Sequence, residues 1–562
     1  MIKKPPQWEV FLCIQLLPSC MLFPIRMITI IACCWVLQSC NGNSTEKNNH
    51  QSKDTIPLKT ATFIDQSLPG NFSDQSILHF DSISISTFLK KYDSLRLYKN
   101  ELISFYKNRN YAYAWFDDQG LIEQSADLYN RILHLEEEGL PRQQPYLNTF
   151  IYMMGGDDSL NLSQTEEPEK ELMMTAQYLV YAKKAWTGLP ESASREMAWH
   201  IPRKKIDYKK YLDSLIHSEE DAAVIKEPVY YQYNLLKKYL KRFQEVEKKG
   251  TWITIKADKK KYQLGDTSQA IRTIRKKLFL AGDLKTDSGS PIFDQTLKEG
   301  VKKFQHRYGF KEDGVVGQTI LKEMNAPLSK RMQQIIVNME RCRWMDNDPT
   351  GNYLMVNIPQ FQLLVYEHDS LVWKCNVVVG KEIHKTAIFQ GTVRYIVFSP
   401  YWNVPTSILN KEILPALRRN PNYLESHDME WYDGRVRQKP GPQNALGKVK
   451  FLFPNNFKMY LHDTPSKSLF EQEKRTFSHG CIRVQEARKL ALYLLRNEKN
   501  WPESKIDDAM NSLKEQTVTL KEPIPVSIVY FTAWVDREGR INFRDDIYQR
   551  DSRLMEAIFA KK

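Results

Sequence analysis

After residue 40 the 562-residue sequence contains no apolar run dense enough to suggest membrane contact, and it is poor in cysteine. Five of the eight cysteines (Cys13, Cys20, Cys33, Cys34 and Cys40) fall in the first forty residues, leaving Cys342, Cys375 and Cys481 for the folded body. Scattered thiols with no Cys-x-x-Cys pair make no disulfide framework. The lack of later apolar runs excludes a polytopic membrane protein. A content of 42% hydrophobic and 26% charged residues excludes a collagenous or wholly disordered chain. A single basic stripe is also missing: 80 Lys and Arg against 67 Asp and Glu give +13, but the cations are spread through helical patterns. The balance suits an anionic partner such as a membrane surface or an acidic polymer, and the scatter argues against nucleic acid. The length corresponds to roughly three to four domains.

Residues 7 to 40 are apolar but broken by Pro18, Pro24 and Arg26, so neither half reaches the roughly 20 residues of a spanning helix. Arg26 followed by the apolar run Met27 to Leu37 and by Leu37-Gln38-Ser39-Cys40 resembles a bacterial lipoprotein signal, which implies acylation of Cys40. An ordinary cleavable signal with an incidental cysteine is the alternative, and Met21 can serve as the start. The polar stretch after Cys40 lacks aromatic and β-branched clusters and reads as a tether to an envelope membrane.

From about Ser82 to Phe243 apolar residues recur at helical spacing, as in Phe88, Tyr92 and Leu95, then Leu128, Ile132 and Leu135. Gly139-Leu140-Pro141 and Gly188-Leu189-Pro190 stop helices. Leu172 to Trp186 is rich in Met and aromatics, but its period is that of a core helix. From Tyr262 to Met324 two helices with Ile271, Ile274, Leu278 and with Val301, Phe304, Tyr308 inward precede an Asp313-Gly314-Val315-Val316-Gly317 turn. Gly265-Asp266, Phe304-Gln305 and that turn resemble the three-helix peptidoglycan-binding module. A spacer of the same fold that binds no glycan is the alternative.

At Tyr353 the pattern changes to β-rich runs, YLMVNI, FQLLVY, LVWKCNVVVG and VRYIVF. After Trp402-Asn403-Val404-Pro405, Thr406 or Ser407 is placed to cap a helix through Leu417, and polar, Pro-rich sequence follows to Gly447. Strands return at 448–452 and 458–462, and VSIVYFTAWVD with INF forms a closing hairpin.

His462 ends a strand, and Ser478-His479-Gly480-Cys481-Ile482-Arg483 precedes a helical run from Gln485 to Leu495. A thiol attacks as thiolate, and an imidazole, Arg483 and the N-terminus of that helix would each favour the anion. Gly480 permits close approach of substrate, and the amides around Gly480-Cys481 can hold an oxyanion. Zinc on His462, His479 and Cys481 would lack a nearby Cys-x-x-Cys, so no metal is expected. A redox thiol would lack a resolving partner, and the polar residues around Cys481 argue against an inert buried thiol.

This constellation closely resembles the L,D-transpeptidase (YkuD-like) family, and the order of domains resembles its long YcbB-like branch. The resemblance implies Cys481 as nucleophile, His462 as general base, and His479 and Gly480 as shapers of the oxyanion site. Ser478, Arg483, Trp402 and Asn403 are expected to contact substrate, and no cofactor is implied. Where shorter relatives carry Gly, this chain has Asp463, so the setting of His462 can differ. The implied activity joins peptidoglycan stem peptides in 3→3 cross-links through a thioester, and carbapenem-type β-lactams are implied to acylate the thiol. Transfer to water or to a protein amine on the same site, or a catalytically silent wall-binding lipoprotein, are the alternatives.

The expected fold is multidomain α+β. It comprises a signal segment 1–40, a disordered tether 41–80, a helical scaffold 81–250 and a peptidoglycan-binding-like domain 258–328. A β-rich catalytic domain 350–522 with a helical lid at 406–447 and a C-terminal hairpin extension 523–562 complete it.

Overall fold

The computed structural model describes residues 78–117, 120–154, 167–217, 227–345 and 350–560. The signal segment, Cys40 and the tether up to residue 77 lie outside the described residues. Phe80, assigned above to the tether, is already part of the fold: it is buried edge-on against Tyr106, Tyr111 and Tyr113.

The scaffold is helical from Ile83–Lys91 to Gln232–Lys248, with one short pair of strands, β1 (Phe116–Asp117) and β2 (Gly120–Leu121). At its centre runs the helix Glu167–Ala182, buried on every side from Glu171 onward. A helix that is apolar all round belongs in a core, which is where the Met and aromatic run expected to be a core helix sits. Its one buried acid is committed to structure. The Glu171 carboxylate accepts from the backbone N–H groups of Ala114 and Trp115 and from the Tyr106 hydroxyl at 2.7, 3.0 and 2.7 Å. The helix widens into a last π-helical turn, Lys183–Thr187, and stops at Gly188 with φ +69°. A Cβ there would stand 2.2 Å from Glu340 Oε1, so the stop needs glycine for both reasons.

In the next unit the helices Gln269–Ala281, Gln295–Tyr308 and Gln318–Met324 enclose Ile271, Ile274, Leu278, Val301 and Phe304. Ser268 and Asp294 cap the first two, accepting from Ala270 N–H and Leu297 N–H. The Phe-Gln and Asp-Gly motifs prove to be one device: the Gln305 amide donates to Asp313 and Val315 and accepts from Gly314 N–H. A helix left unassigned by the sequence reading, Leu328–Trp344, follows and is buried almost throughout. It ties the other parts together, with Arg343 donating to the carbonyls of Ala185 and Glu138 and Asn338 donating to Thr532.

The β-rich part contains β3 (Tyr353–Asn357), β4 (Gln362–Glu367), β5 (Ser370–Gly380), β6 (Phe389–Phe398), β7 (Trp402–Asn403), β8 (Met429–Tyr432) and β9 (Arg435–Gln438). Then come β10 (Val449–Leu452), β11 (Tyr460–His462), β12 (Thr476–Ser478), β13 (Ile482–Val484), β14 (Gln516–Val529), β15 (Ala533–Val535) and β16 (Ile541–Phe543). Nine of them form one sheet in the order β12-β5-β13-β11-β10-β6-β14-β3-β4, and because β4 also pairs with β5 the sheet closes on itself. The expected boundary at 522/523 falls inside β14, which lies between β6 and β3. Only β15 and β16 make the expected hairpin, so VSIV belongs to the sheet, and a helix, Asp551–Phe559, follows the hairpin.

The insertion also departs from expectation. Thr406 is inside its helix instead of capping it: Pro405, with extended backbone, is the residue before the first turn, and no side chain caps it. The helical segment runs on to Arg419, and the polar stretch beyond it folds as the helix Tyr423–Ser426 and the hairpin β8–β9. With β7 these make a three-stranded sheet over a small core of Val404, Ile408, Ile413, Met429 and Val436.

Candidate active site

β11 and β13 are parallel neighbours with Leu461 opposite Ile482 and His462 opposite Arg483. Side chains alternate along a strand, so Tyr460, His462, Cys481 and Arg483 share one face while Leu461 and Ile482 are buried on the other. Two hydrophobic residues in register thus bring four chemically active ones together. The Tyr460 ring meets the His462 ring edge-on at 5.6 Å, and the Tyr460 hydroxyl and backbone N–H act on the Cys481 thiol to favour its anion.

Each group's environment fixes its protonation. His462 is buried, and burial, helped by the Arg483 charge, pulls its imidazole down to about 4. Its Nδ1–H donates to the Asp463 carbonyl at 2.5 Å. A carbonyl can only accept, so the proton sits on Nδ1 and Nε2 is left as the basic nitrogen. Asp463 therefore sets the histidine through its backbone, while its carboxylate accepts from Lys448 N–H at 2.9 Å and Lys467 Nζ at 2.5 Å. Burial pushes the Cys481 thiol above its ordinary value, against the opposing pull of Tyr460 and Arg483. The thiol lies 4.0 Å from the Lys458 carbonyl. At neutral pH both the thiol and the imidazole on this face rest neutral, and the thiolate expected above is overridden by burial.

The helix N-terminus expected behind Cys481 is also displaced. Ile482–Val484 is a strand, held by β5 on one side and β11 on the other, and the helix begins only at Ala487. Its first turn starts six residues after the thiol, with the strand between them. Arg483 is the remaining local cation, half-buried, with a buried Nε that has no hydrogen-bond partner.

The Ser478–Cys481 loop is held from within. Ser478 Oγ donates to the Cys481 carbonyl at 2.5 Å and accepts from Gly480 N–H at 3.1 Å. Gly480 has φ +121°, a conformation open to glycine. His479 leaves the sheet, with its Nε2 3.2 Å from Glu412 Oε1 on the insertion and its ring 5.1 Å from that of His384. Partial burial, with His384 and Lys381 nearby, outweighs Glu412 and holds His479 below its usual value. Trp402 and Asn403 are placed elsewhere: β7 pairs with β9, and Trp402 packs on the insertion's own core. Tyr460 received no role from the sequence, although its place two residues before His462 on a strand was the available signal.

The insertion returns to the sheet at the same place. Gly447 has φ +62°, and a Cβ on it would stand 2.4 Å from Asp463 Oδ2, next to His462. Its helical arm reaches the loop through Glu412, so it touches both the His462 side and the His479 side of the site.

Comparison with known proteins agrees with this geometry. A family model described as the L,D-transpeptidase catalytic domain matches residues 351–506. Residues 351–506 belong to that family. A scaffold-domain model matches 100–240, and a putative peptidoglycan binding domain matches 267–324. A protein of Haemophilus influenzae named as a putative L,D-transpeptidase is 31% identical over 255 residues, which are 41% of this chain and 51% of that one. The chain thus spans about half the length of the curated relative it matches. Among solved structures, L,D-transpeptidases of Xylanimonas cellulosilytica and Stackebrandtia nassauensis each share 14% identity. They cover 49% and 48% of this chain and 99% and 94% of their own, with TM-scores of 0.18 and 0.22. Overlays that weak add nothing to the L,D-transpeptidase assignment, which stands on the family match.

Proposed function

We propose that the chain is a cysteine-dependent peptidoglycan L,D-transpeptidase of the cell envelope that forms 3→3 cross-links. The observation carrying this reading is the shared face of Tyr460, His462, Cys481 and Arg483, with His462 presenting a basic Nε2. The thiol adds to the carbonyl between the third residue of a donor stem and its terminal D-Ala, and its proton passes to His462. The collapsing adduct forms the thioester, and His462 hands the proton to the departing D-Ala amine. The side-chain amine of an acceptor stem then attacks the thioester, and its proton returns through His462 to the thiol. Because both partners start neutral, His462 acts as a general base at the moment of attack. Arg483, Ser478 and the loop amides support the substrate carbonyl, and the 267–324 module holds the wall.

The insertion is read as a lid. Contact with both sides of the site suits it to exclude water that would hydrolyse the thioester and to hold the acceptor. The exposed Arg418-Arg419 at its helix end can meet stem carboxylates. Cys40, acylated, would anchor the chain. Among the described residues no helix is long and apolar enough to cross a membrane. Unchanged membrane fractionation of Cys40→Ser would remove the anchor from this reading.

The deciding experiment is mass spectrometry of muropeptides made from purified stem peptides. Wild-type protein is expected to yield 3→3 cross-linked dimers with release of D-Ala, and Cys481→Ala none. Cross-linking by Cys481→Ala would overturn the proposal, and hydrolysed tripeptide alone would replace transpeptidation with carboxypeptidase activity.

A further inference from the structure

Thr386, fully buried between the turn Glu382–His384 and β6, reaches the loop that carries Cys481. Its hydroxyl accepts from Gly380 N–H and donates to the Gly480 carbonyl, both at 2.9 Å. Its own backbone N–H donates to the Tyr548 hydroxyl at 3.2 Å, and that hydroxyl donates to the Gly380 carbonyl at 2.6 Å. Tyr548 is itself 1% exposed and held by its N–H donating to Tyr530 Oη at 2.9 Å, by Tyr530 donating to Asp546 at 2.6 Å, and by Lys385 on its carbonyl at 3.0 Å. Each hydroxyl spends its single proton once and accepts once, so every direction in the chain is set. The turn closes this tightly because residue 380 is glycine: a Cβ would stand 2.0 Å from the His384 carbonyl oxygen.

The consequence lies in the Gly480–Cys481 peptide. The plane is trans, as no cis peptide occurs among the described residues, so the Gly480 carbonyl and the Cys481 N–H point in opposite directions across it. Fixing the carbonyl fixes the N–H. Glycine at 480 does not orient the plane by itself, since it tolerates conformations on both sides of φ. Gly480 N–H is committed to Ser478, which leaves the Cys481 N–H as the amide of this pair that is not.

We propose that Thr386 and Tyr548 are positioning residues for acyl transfer, aiming the Cys481 N–H, through the Gly480 carbonyl, at the oxyanion formed when the thiol adds to a carbonyl carbon. This rests on the reading of Cys481 as the nucleophile. It also gives the terminal segment after β14 a task in catalysis without any contact with substrate.

Two reactions of the same thiol separate this role from a merely structural one. Acylation by a carbapenem-type β-lactam passes through an oxyanion, whereas alkylation by iodoacetamide does not. In the full chain, Thr386→Val should slow acylation about 10- to 10²-fold, up to the lower end of the roughly 10²- to 10³-fold cost of losing an oxyanion donor outright, because the donor is misaimed and not removed, and change alkylation by less than about threefold. Thr386→Ser, which restores the hydroxyl, should return acylation to within about threefold of wild type, and Tyr548→Phe should slow acylation alone by about 3- to 10-fold. Loss of both reactions together in Thr386→Val, wild-type acylation by it, or no rescue by Ser overturns the proposal. If Thr386→Val does not fold, an unchanged ratio of acylation to alkylation in Tyr548→Phe overturns it. A wild-type thiol that is alkylated but never acylated defeats the nucleophile reading itself, and this inference with it.

Discussion

The two histidines that precede the thiol in sequence are held by different kinds of structure. His462 belongs to the sheet: it is buried, paired in register with Arg483 and locked in one tautomer by a backbone carbonyl. His479 belongs to a loop, with a side chain 40% exposed whose partner Glu412 sits on the insertion and is 54% exposed. The sheet fixes a protonation state through burial, and the loop and insertion fix a position through an exposed imidazole–carboxylate contact that solvent can replace. The contrast implies that chemistry depends on the first and access on the second.

The largest effect should come from breaking the sheet side. His462→Ala is expected to lower turnover about 10²-fold or more, the scale of general-base loss, with stem-peptide consumption as the measure. Cost in stability should follow as well. An imidazole neutral in the fold down to about 4, but ordinary at 6.5 when unfolded, makes the unfolded chain the better proton binder between those values. That contribution is absent above pH 6.5 and should destabilise the fold by roughly 3 kcal/mol as the pH falls to about 4. In denaturant titrations His462→Gln should lose this part of the acid sensitivity, and an unchanged pH slope would contradict the burial argument.

On the insertion side, replacing residues 408–445 by a short Gly/Ser linker should leave acylation by small β-lactams intact and shift product from cross-link to hydrolysis. An unchanged ratio of the two products would show that the insertion is no lid. The smallest effect is expected from Glu412→Gln, about two- to threefold in cross-linking, since an exposed polar contact contributes little. A loss as large as that of His462→Ala would erase the contrast between the two histidines.

The division also explains what could be read in advance. Ser478 to Cys481 and His462 stand out because the chemistry requires particular residue types close together, and the helical and β-rich halves declare themselves by their periods. What escaped is long-range. Ile482–Val484 becomes a strand because β5 and β11 hold it, and without them the run looked like the approach to a helix. Thr386 lies 94 positions from Gly480, and Tyr548 lies 162 from Thr386, so neither has a local signal. The insertion's hairpin hid in polar sequence whose only apolar anchors, Met429 and Val436, are too few to show a period.

The place of β14 has a consequence in time. The ring of strands joins β6 to β3 only through residues 516–529, which a ribosome makes after every residue of the Ser478–Cys481 loop. A nascent chain therefore carries its complete motif before it carries a closed sheet, and Tyr548 arrives later still. A chain ending between 490 and 515 would possess Cys481, His462 and the loop, yet would lack the strand that closes the wall around them. Closure of the wall around the motif thus waits on residues made after it.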